Sequence, residues 1–231
     1  TKDLYVLKWL NKKGIYNLSD QVSSKVESKI KSEKILDIEL VEAKNKLLYY
    51  KLISNNPTTI QLDPATFEDL LDSYEELMSV KLLIYKSGLT NFGSLKNYNY
   101  QDSISKINKL TDLLKSTSLT QLLQRLAELI ELNDLKSLDI LTKNLFENKI
   151  KPKSELHFIV ASYCMRKALN MWSKGISKNK NLIPKLAKYI LESGAYEVYG
   201  KIPLASFHNL INGIAPFTKL EEVNQLIDQY I

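Results

Sequence analysis

Residues 118–152 read SLTQLLQRLAELIELNDLKSLDILTKNLFENKIKP, and the fold class follows from this stretch. On both sides of Asn133-Asp134, apolar side chains recur every three or four residues, which is the spacing of an amphipathic helix. Asn133 can end the first helix, and Asp134 can cap the second. Because only this short break separates them, the two helices are predicted to form an antiparallel hairpin.

Helical spacing of apolar residues continues along most of the chain. It predicts helices near residues 4–10, from about 19, and over about 37–56, 64–88, 102–115, 155–172, 182–191 and 203–214. Thr218 and Glu221 form a capping box that predicts one more helix near the end of the chain. In residues 58–62, polar and apolar side chains alternate as in an extended segment. Residues 90–100 are rich in Asn and Tyr, which predicts a loop and a domain boundary. The fold class is therefore predicted as all-α.

Composition argues against several kinds of site. The 231-residue chain has one cysteine, Cys164, and two histidines, His157 and His208, so neither a disulfide framework nor a metal site is expected. No apolar run approaches the ~20 residues that span a bilayer, and there is no Gly-rich phosphate loop. His157 and Cys164 share a helical face, but their apolar neighbours favour a place in the core over a catalytic pair. We expect no cofactor and no enzymatic activity.

The net charge of +6 is unevenly distributed. Residues 156–191 contain no Asp or Glu but seven cationic side chains, which are Arg166, Lys167, Lys174, Lys178, Lys180, Lys185 and Lys188. Clustered cations neutralise phosphates with release of counterions, and the Trp172 ring in the same stretch can stack on a base. This pattern favours contact with a nucleic-acid backbone and little reading of base sequence. The alternative is that these lysines form the solvated surface of a Lys-rich protein.

Three stretches of the chain have a common pattern. FEDLLD at 67–72 follows the helix start signal Asp63-Pro64, and SFHNLING at 206–213 precedes KLEEV at 219–223. Residues 118–152 form a 35-residue unit that ends in KIKP. These stretches resemble the pentatricopeptide repeat. The first helix of that repeat carries an aromatic residue, two further residues, Leu, an aliphatic residue and an Asp-like residue.

The resemblance implies an α-solenoid of irregular antiparallel helix pairs. It implies an N-terminal helical array at 1–95 with a unit near 64–88, and a C-terminal array at 96–231 with units at 118–152, 153–204 (with an insertion) and 205–231. In this family the residue after the aromatic position helps to select a base, and the matching positions here are Glu68, Leu123 and His208. Glu68 would repel phosphate and Leu123 cannot form a hydrogen bond to a base, so a code of one base per repeat is not expected. Of the three positions, His208 is the better candidate for a contact with a base.

Irregular, Lys- and Asn-rich arrays of this kind look like fungal mitochondrial factors that stabilise organellar messages or help to translate them. The resemblance implies binding of single-stranded mRNA or rRNA in the mitochondrial matrix, and because the chain begins with Thr1, we expect any targeting peptide to lie outside it. The expected contacts are Arg166, Lys167, Trp172, Lys174, Lys178, Lys180, Lys185, Lys188 and His208. The alternative is a protein-binding helical-repeat scaffold or adaptor within a larger complex, for example one associated with the ribosome.

Overall fold

The computed structural model of the chain describes residues 2–33, 35–54, 64–96, 99–114, 116–132, 134–175, 181–197 and 202–230. Within these ranges the backbone forms eleven α-helices, one short 3₁₀ helix and no β-strand. The prediction of an all-α fold is confirmed at this level. The extended segment predicted at 58–62 lies outside the described residues.

The helices follow one another with short connections. Their bounds are α1 Lys2–Lys12, α2 Tyr16–Ser32, α3 Ile38–Ser54, α4 Pro64–Lys96, α5 Gln101–Thr111, α6 Ser118–Leu132, α7 Leu135–Phe146, α8 Glu155–Ser173, α9 Leu182–Ser193, α10 Leu204–Ile214 and α11 Leu220–Tyr230. The 3₁₀ helix Ala215–Phe217 lies between the last two. Residue contacts divide the chain into two compact units, which are Thr1–Leu89 with Lys96–Leu123, and Thr90–Leu95 with Gln124–Ile231.

In the first unit, α1, α2 and α3 pack against one another. Their shared core contains Leu4, Leu7, Val26 and Leu47. Asn11 of α1 adds a polar link, because its side-chain amide donates to the Tyr50 carbonyl of α3 at 3.2 Å and its Oδ1 accepts from Ser19 of α2 at 2.6 Å. These three helices are therefore joined by an apolar cluster and by the half-buried amide of Asn11.

In the second unit, helices that are consecutive in the sequence pack together: α7 on α8, α8 on α9 and α9 on α10. Their contact faces supply most of the largest fully buried side chains, among them Leu138, Leu141, Leu145, Leu156, Met171, Ile183 and Leu186. Full burial of a Leu or Met side chain contributes about 1.5–3 kcal/mol, so this core is a main source of the unit's stability.

The predicted break near residue 134 lies between α6, which ends at Leu132, and α7, which begins at Leu135, whereas Asn133 lies outside the described residues. Asp134 caps α7, because its carboxylate accepts from the backbone N–H of Lys136 at 3.3 Å and of Ser137 at 2.9 Å. The Ser137 hydroxyl also lies 2.7 Å from Asp134 and 3.1 Å from Glu128 Oε2. Hydrogen bonds from the Ser137 side chain and backbone lower the pKa of Asp134, so the cap stays ionised.

The predicted loop at 90–100 is wrong for its first part, because α4 continues through Gly88 to Lys96. Adding a residue to an existing helix costs far less than starting one, and a single internal Gly costs only about 1 kcal/mol relative to Ala. Thirty-three residues of α4 therefore form one helix in spite of the Gly and Asn residues near its end. The domain boundary near residue 95 stays a prediction.

Gly194 is expected to be a sensitive position for stability. It ends α9 with φ +66°, a left-handed conformation that costs an L-residue roughly 1–2 kcal/mol. An added Cβ would lie 2.7 Å from Glu197 Oε1 and from Lys153 Cε, two side chains that form an ion pair. Gly194→Ala should lower the free energy of unfolding by about 1 kcal/mol in urea titrations.

The control for this prediction is Gly88→Ala. Gly88 lies inside α4, and a Cβ there would meet nothing within 4 Å. This substitution should raise the free energy of unfolding by about 0.5–1 kcal/mol, because Ala loses less backbone entropy in a helix than Gly does. Equal effects of the two substitutions would contradict the role assigned to the left-handed conformation.

Candidate nucleic-acid interface

Three of the predicted cationic contacts lie at the carboxyl-terminal end of α8, two within the helix and Lys174 directly after it. Ser154 caps this helix, because its hydroxyl accepts from the backbone N–H of His157 at 3.1 Å. One face of α8 is buried and contains Leu156, Val160, Ala161, Cys164, Met165, Ala168 and Met171. Arg166 and Lys174 are exposed and Lys167 is half-buried, so the cations lie away from the buried face.

Arg166 lies over an aromatic ring. Its guanidinium carbon is 4.6 Å from the centroid of the Tyr163 ring, one helical turn earlier. A guanidinium in this position is attracted by the negative face of the ring. The arrangement presents a cation and an aromatic ring on one exposed surface of α8.

Lys167 connects α8 to the end of α6. Its Nζ donates to the backbone carbonyl of Ile130 at 3.0 Å. Carbonyls in the last turn of a helix lack a partner within the helix and form the negative end of its dipole, so a cation is favourable there. Part of the Lys167 charge is therefore used to cap α6.

The positive charges of Arg166 and Lys174 act on Lys167. The pKa of Lys167 is lowered, first by burial and then by the charges of Arg166 and Lys174. A shift of this kind requires the like charges to be near one another. We call these three residues the α8 cluster.

The two predicted contacts on α9 have partners of their own. Lys185 Nζ is 4.6 Å from the centroid of the Phe146 ring. Lys188 Nζ is 3.7 Å from Glu192 Oε1, one turn further along the same helix, and both of these side chains are well exposed. Such surface pairs are weak, so a phosphate can compete for either lysine.

The remaining predicted contacts are dispersed. The Trp172 ring packs against Phe217 with centroids 4.6 Å apart and an interplanar angle of 70°, so part of its surface is used within the fold. His208 is exposed on α10, and its Nε2 is 3.2 Å from the side-chain nitrogen of Asn212. Lys178 and Lys180 lie outside the described residues. The site as a whole stays a prediction, with the α8 cluster as its best-defined part.

A cavity of about 330 Å³ adjoins the α8 cluster, and sequence reasoning missed it. It is lined by Phe158, Ser162, Met165, Arg166, Leu169, Tyr196, Ser206, Asn209 and Leu210. Burial raises the pKa of Tyr196, whose hydroxyl interacts with Ser162, so this phenol stays neutral. Hydroxyl, amide and guanidinium groups thus converge on a mostly apolar space, with Arg166 belonging to both the cavity and the cluster.

The pair His157 and Cys164 has no arrangement suited to nucleophilic catalysis. Burial raises the pKa of the Cys164 thiol far above neutral pH, so the reactive thiolate is not formed. His157 Nδ1 accepts from the backbone N–H of Lys153 at 3.1 Å, and its Nε2 lies 2.9 Å from the Tyr189 hydroxyl. Both ring nitrogens are therefore engaged in holding the loop before α8 and the helix α9.

His157 should make the fold sensitive to mild acid. Burial lowers the pKa of His157 in the folded protein, so below about pH 6.5 the unfolded chain takes up a proton first. Stability is therefore complete above that pH and falls as pH decreases, by at most about 1.4 kcal/mol per pH unit. Urea titrations between pH 7.5 and 5 should show this loss, and His157→Gln should flatten it. An unchanged pH profile in that variant would contradict the assignment.

No grouping of three or more His, Cys, Asp or Glu side chains able to hold a metal ion occurs among the described residues. In the same part of the chain, none of the helices is both long enough and apolar enough to cross a membrane. Comparisons with protein-family models, with curated proteins and with solved structures found no match to this chain. The functional argument therefore depends on the geometry and charge of the molecule itself.

Proposed function

We propose that the protein binds single-stranded RNA without catalysis, and that the α8 cluster contacts the phosphates of the strand. The observation that carries this proposal is that Arg166 and Lys174 lie near enough to Lys167 for their charges to lower its pKa, on a chain segment that lacks carboxylates from 156 to 191. Like charges held near one another concentrate counterions, and a polyanion that displaces them gains free energy from their release.

The aromatic residues near the cluster support a single strand as the ligand. Tyr163 lies beneath Arg166, and Trp172 is half-buried on the same helix. Unpaired bases stack on aromatic rings and on guanidinium planes, whereas the bases of a duplex are already stacked. A single strand could therefore use both the cations and the rings.

We further propose that the helices form an irregular, pentatricopeptide-like array that acts as an organellar mRNA stability, processing or translation factor in the mitochondrial matrix. Packing of consecutive helices in the second unit supports this, as does burial of Phe207, Leu210 and Ile211 in the tail pattern. In the corresponding pattern on α4, Phe67 and Leu71 are exposed. Support for the array therefore comes from the second unit. Such a protein would act by occupancy, shielding a message or presenting it to a ribosome.

Titration with homopolymer RNA at several salt concentrations tests RNA binding. If phosphates dominate the contacts, the logarithm of the affinity should fall linearly with the logarithm of the salt concentration, with a slope of about −0.7 per phosphate contacted. The affinity should also be similar for different homopolymers, because lysines contact the backbone. Affinity that does not depend on salt would contradict the proposal.

A second candidate function, a protein-binding adaptor, is favoured by one specific observation. The helix α4 carries a row of exposed large apolar side chains in the first unit. That surface is separate in sequence from the α8 cluster, so both functions can belong to one protein.

A further inference from the structure

One face of α4 is apolar and exposed. Phe67, Leu71, Tyr74, Met78 and Tyr85 all lie on this helix, and each has an exposed fraction between 42% and 64%. Contiguous exposed apolar surface on a folded protein is typical of an interaction site. We call these five residues the α4 seam.

The fold itself does not need the α4 seam. The core contacts of α4 come mainly from the opposite face, where Val80 and Leu83 are at most 3% exposed. An amphipathic surface helix normally has one apolar stripe, which faces the core. This helix has a second stripe that the described residues of its unit leave open.

The spacing of the α4 seam is that of a coiled-coil interface. The first four members are separated by four, three and four residues, and Tyr85 follows Met78 by seven. This is the alternation of a and d positions that packs one helix along another. Lys81 occupies the heptad position between Met78 and Tyr85, and its Nζ lies 3.7 Å from Glu42 Oε1 of α3. The α4 seam extends for about 27 Å at 1.5 Å per residue.

The charges beside the α4 seam indicate the kind of partner. Glu68 follows Phe67 and Glu75 follows Tyr74, and both carboxylate side chains are exposed. These are the e positions of the heptad, which select a partner by charge. Pairing two copies of this chain along the face would bring four glutamates to one interface, so self-association is disfavoured.

We propose that the α4 seam docks an amphipathic helix of a partner protein, whose apolar face is flanked by Lys or Arg. The apolar side chains supply the buried contact, and the two glutamates set the charge preference. The seam lies in the first unit and the α8 cluster lies in the second, so the two kinds of binding can be tested with separate variants.

A synthetic peptide tests the proposal. The probe is a fluorescent helix about three heptads long, with Leu at the a and d positions and Lys at the flanking e and g positions. A matched peptide carries Glu in place of each Lys, and a third has a scrambled sequence. In anisotropy titrations with the full chain, the Lys peptide should bind saturably. The Glu peptide should bind at least about tenfold more weakly at low salt.

Variants locate the binding to the α4 seam. Leu71→Glu and Met78→Glu should each weaken binding of the Lys peptide by at least about tenfold, because a charge would be buried in the contact. The matched control is Leu113→Glu, since Leu113 is 81% exposed and lies outside α4. Circular dichroism verifies that each variant is folded, and RNA affinity should be unchanged in all three.

Exchanging the charges beside the α4 seam tests the preference for a cationic partner. The double variant Glu68→Lys/Glu75→Lys should bind the Glu peptide more tightly than the Lys peptide, reversing the order of the wild type. If Leu71→Glu and Leu113→Glu weaken peptide binding equally, the α4 seam is not the binding site. If the double variant still prefers the Lys peptide, the proposal of a partner with flanking Lys or Arg is wrong. Dimerisation of the wild type that Met78→Glu abolishes in sedimentation would instead identify a second copy as the occupant and overturn the proposed partner.

Discussion

The double variant Arg166→Glu/Lys174→Glu is expected to bind homopolymer RNA at least about tenfold more weakly than the wild type at about 50 mM salt. Each substitution removes a cation from the α8 cluster and puts a carboxylate where a phosphate would lie. The slope of log affinity against log salt should become shallower by about 1.4, since two contacts at about 0.7 each are lost. Anisotropy titrations at several salt concentrations measure both quantities.

The control for this prediction is a double variant with the same net charge, in which the substituted lysines lie on a different helix. Lys136→Glu/Lys143→Glu changes two exposed lysines of α7 and, like the test variant, lowers the net charge from +6 to +2, because two substitutions remove two charges each. If binding depends on a local site, this variant should retain nearly wild-type affinity. Equal losses in the two double variants would show that only overall charge matters.

The second large effect is expected in the core of the second unit. Leu141→Ala should lower the free energy of unfolding by about 2–5 kcal/mol, because the side chain is fully buried where α7 contributes to the core and its removal leaves a cavity. Its neighbour Ile140 is 39% exposed, so Ile140→Ala should cost clearly less. Urea titration followed by far-UV circular dichroism measures both. Similar costs would contradict the burial pattern of α7.

Local signals explain why much of the helical layout was predictable. Asp134 caps α7 and Gly194 ends α9 through interactions within a few residues, so sequence alone contains the relevant information. The contact of Arg166 with Tyr163 is of the same kind, because side chains three residues apart on a helix face one another. That spacing was present in the sequence and could have identified the contact.

Features that depend on packing between distant segments were not predictable. The bond from Lys167 to the Ile130 carbonyl joins residues 37 positions apart, and the cavity beside Arg166 is formed by residues of α8 and α10 with Tyr196. Sequence periodicity shows which side chains are apolar but not which helix covers them. For the same reason, the pattern at 67–72 suggested a packed repeat, whereas Phe67 and Leu71 are exposed.

The structure groups only some of the predicted cationic contacts together. Seven cations in a stretch without carboxylates were all expected to contact a nucleic-acid backbone. In the structure, Lys185 contacts Phe146 and Lys188 pairs with Glu192, whereas Arg166, Lys167 and Lys174 form the α8 cluster. The hypothesis of RNA binding therefore now depends on the three residues of the α8 cluster, and substitutions of individual side chains can test it.

Lysine footprinting by mass spectrometry tests the central claim most directly. The full chain is acetylated with and without saturating homopolymer RNA, and the labelling rate of each lysine is compared. We predict strong protection of Lys174, which is exposed in the α8 cluster, and no protection of Lys143 on α7. If Lys174 is labelled equally fast in both conditions while the RNA is bound, the α8 cluster is not the RNA-binding surface.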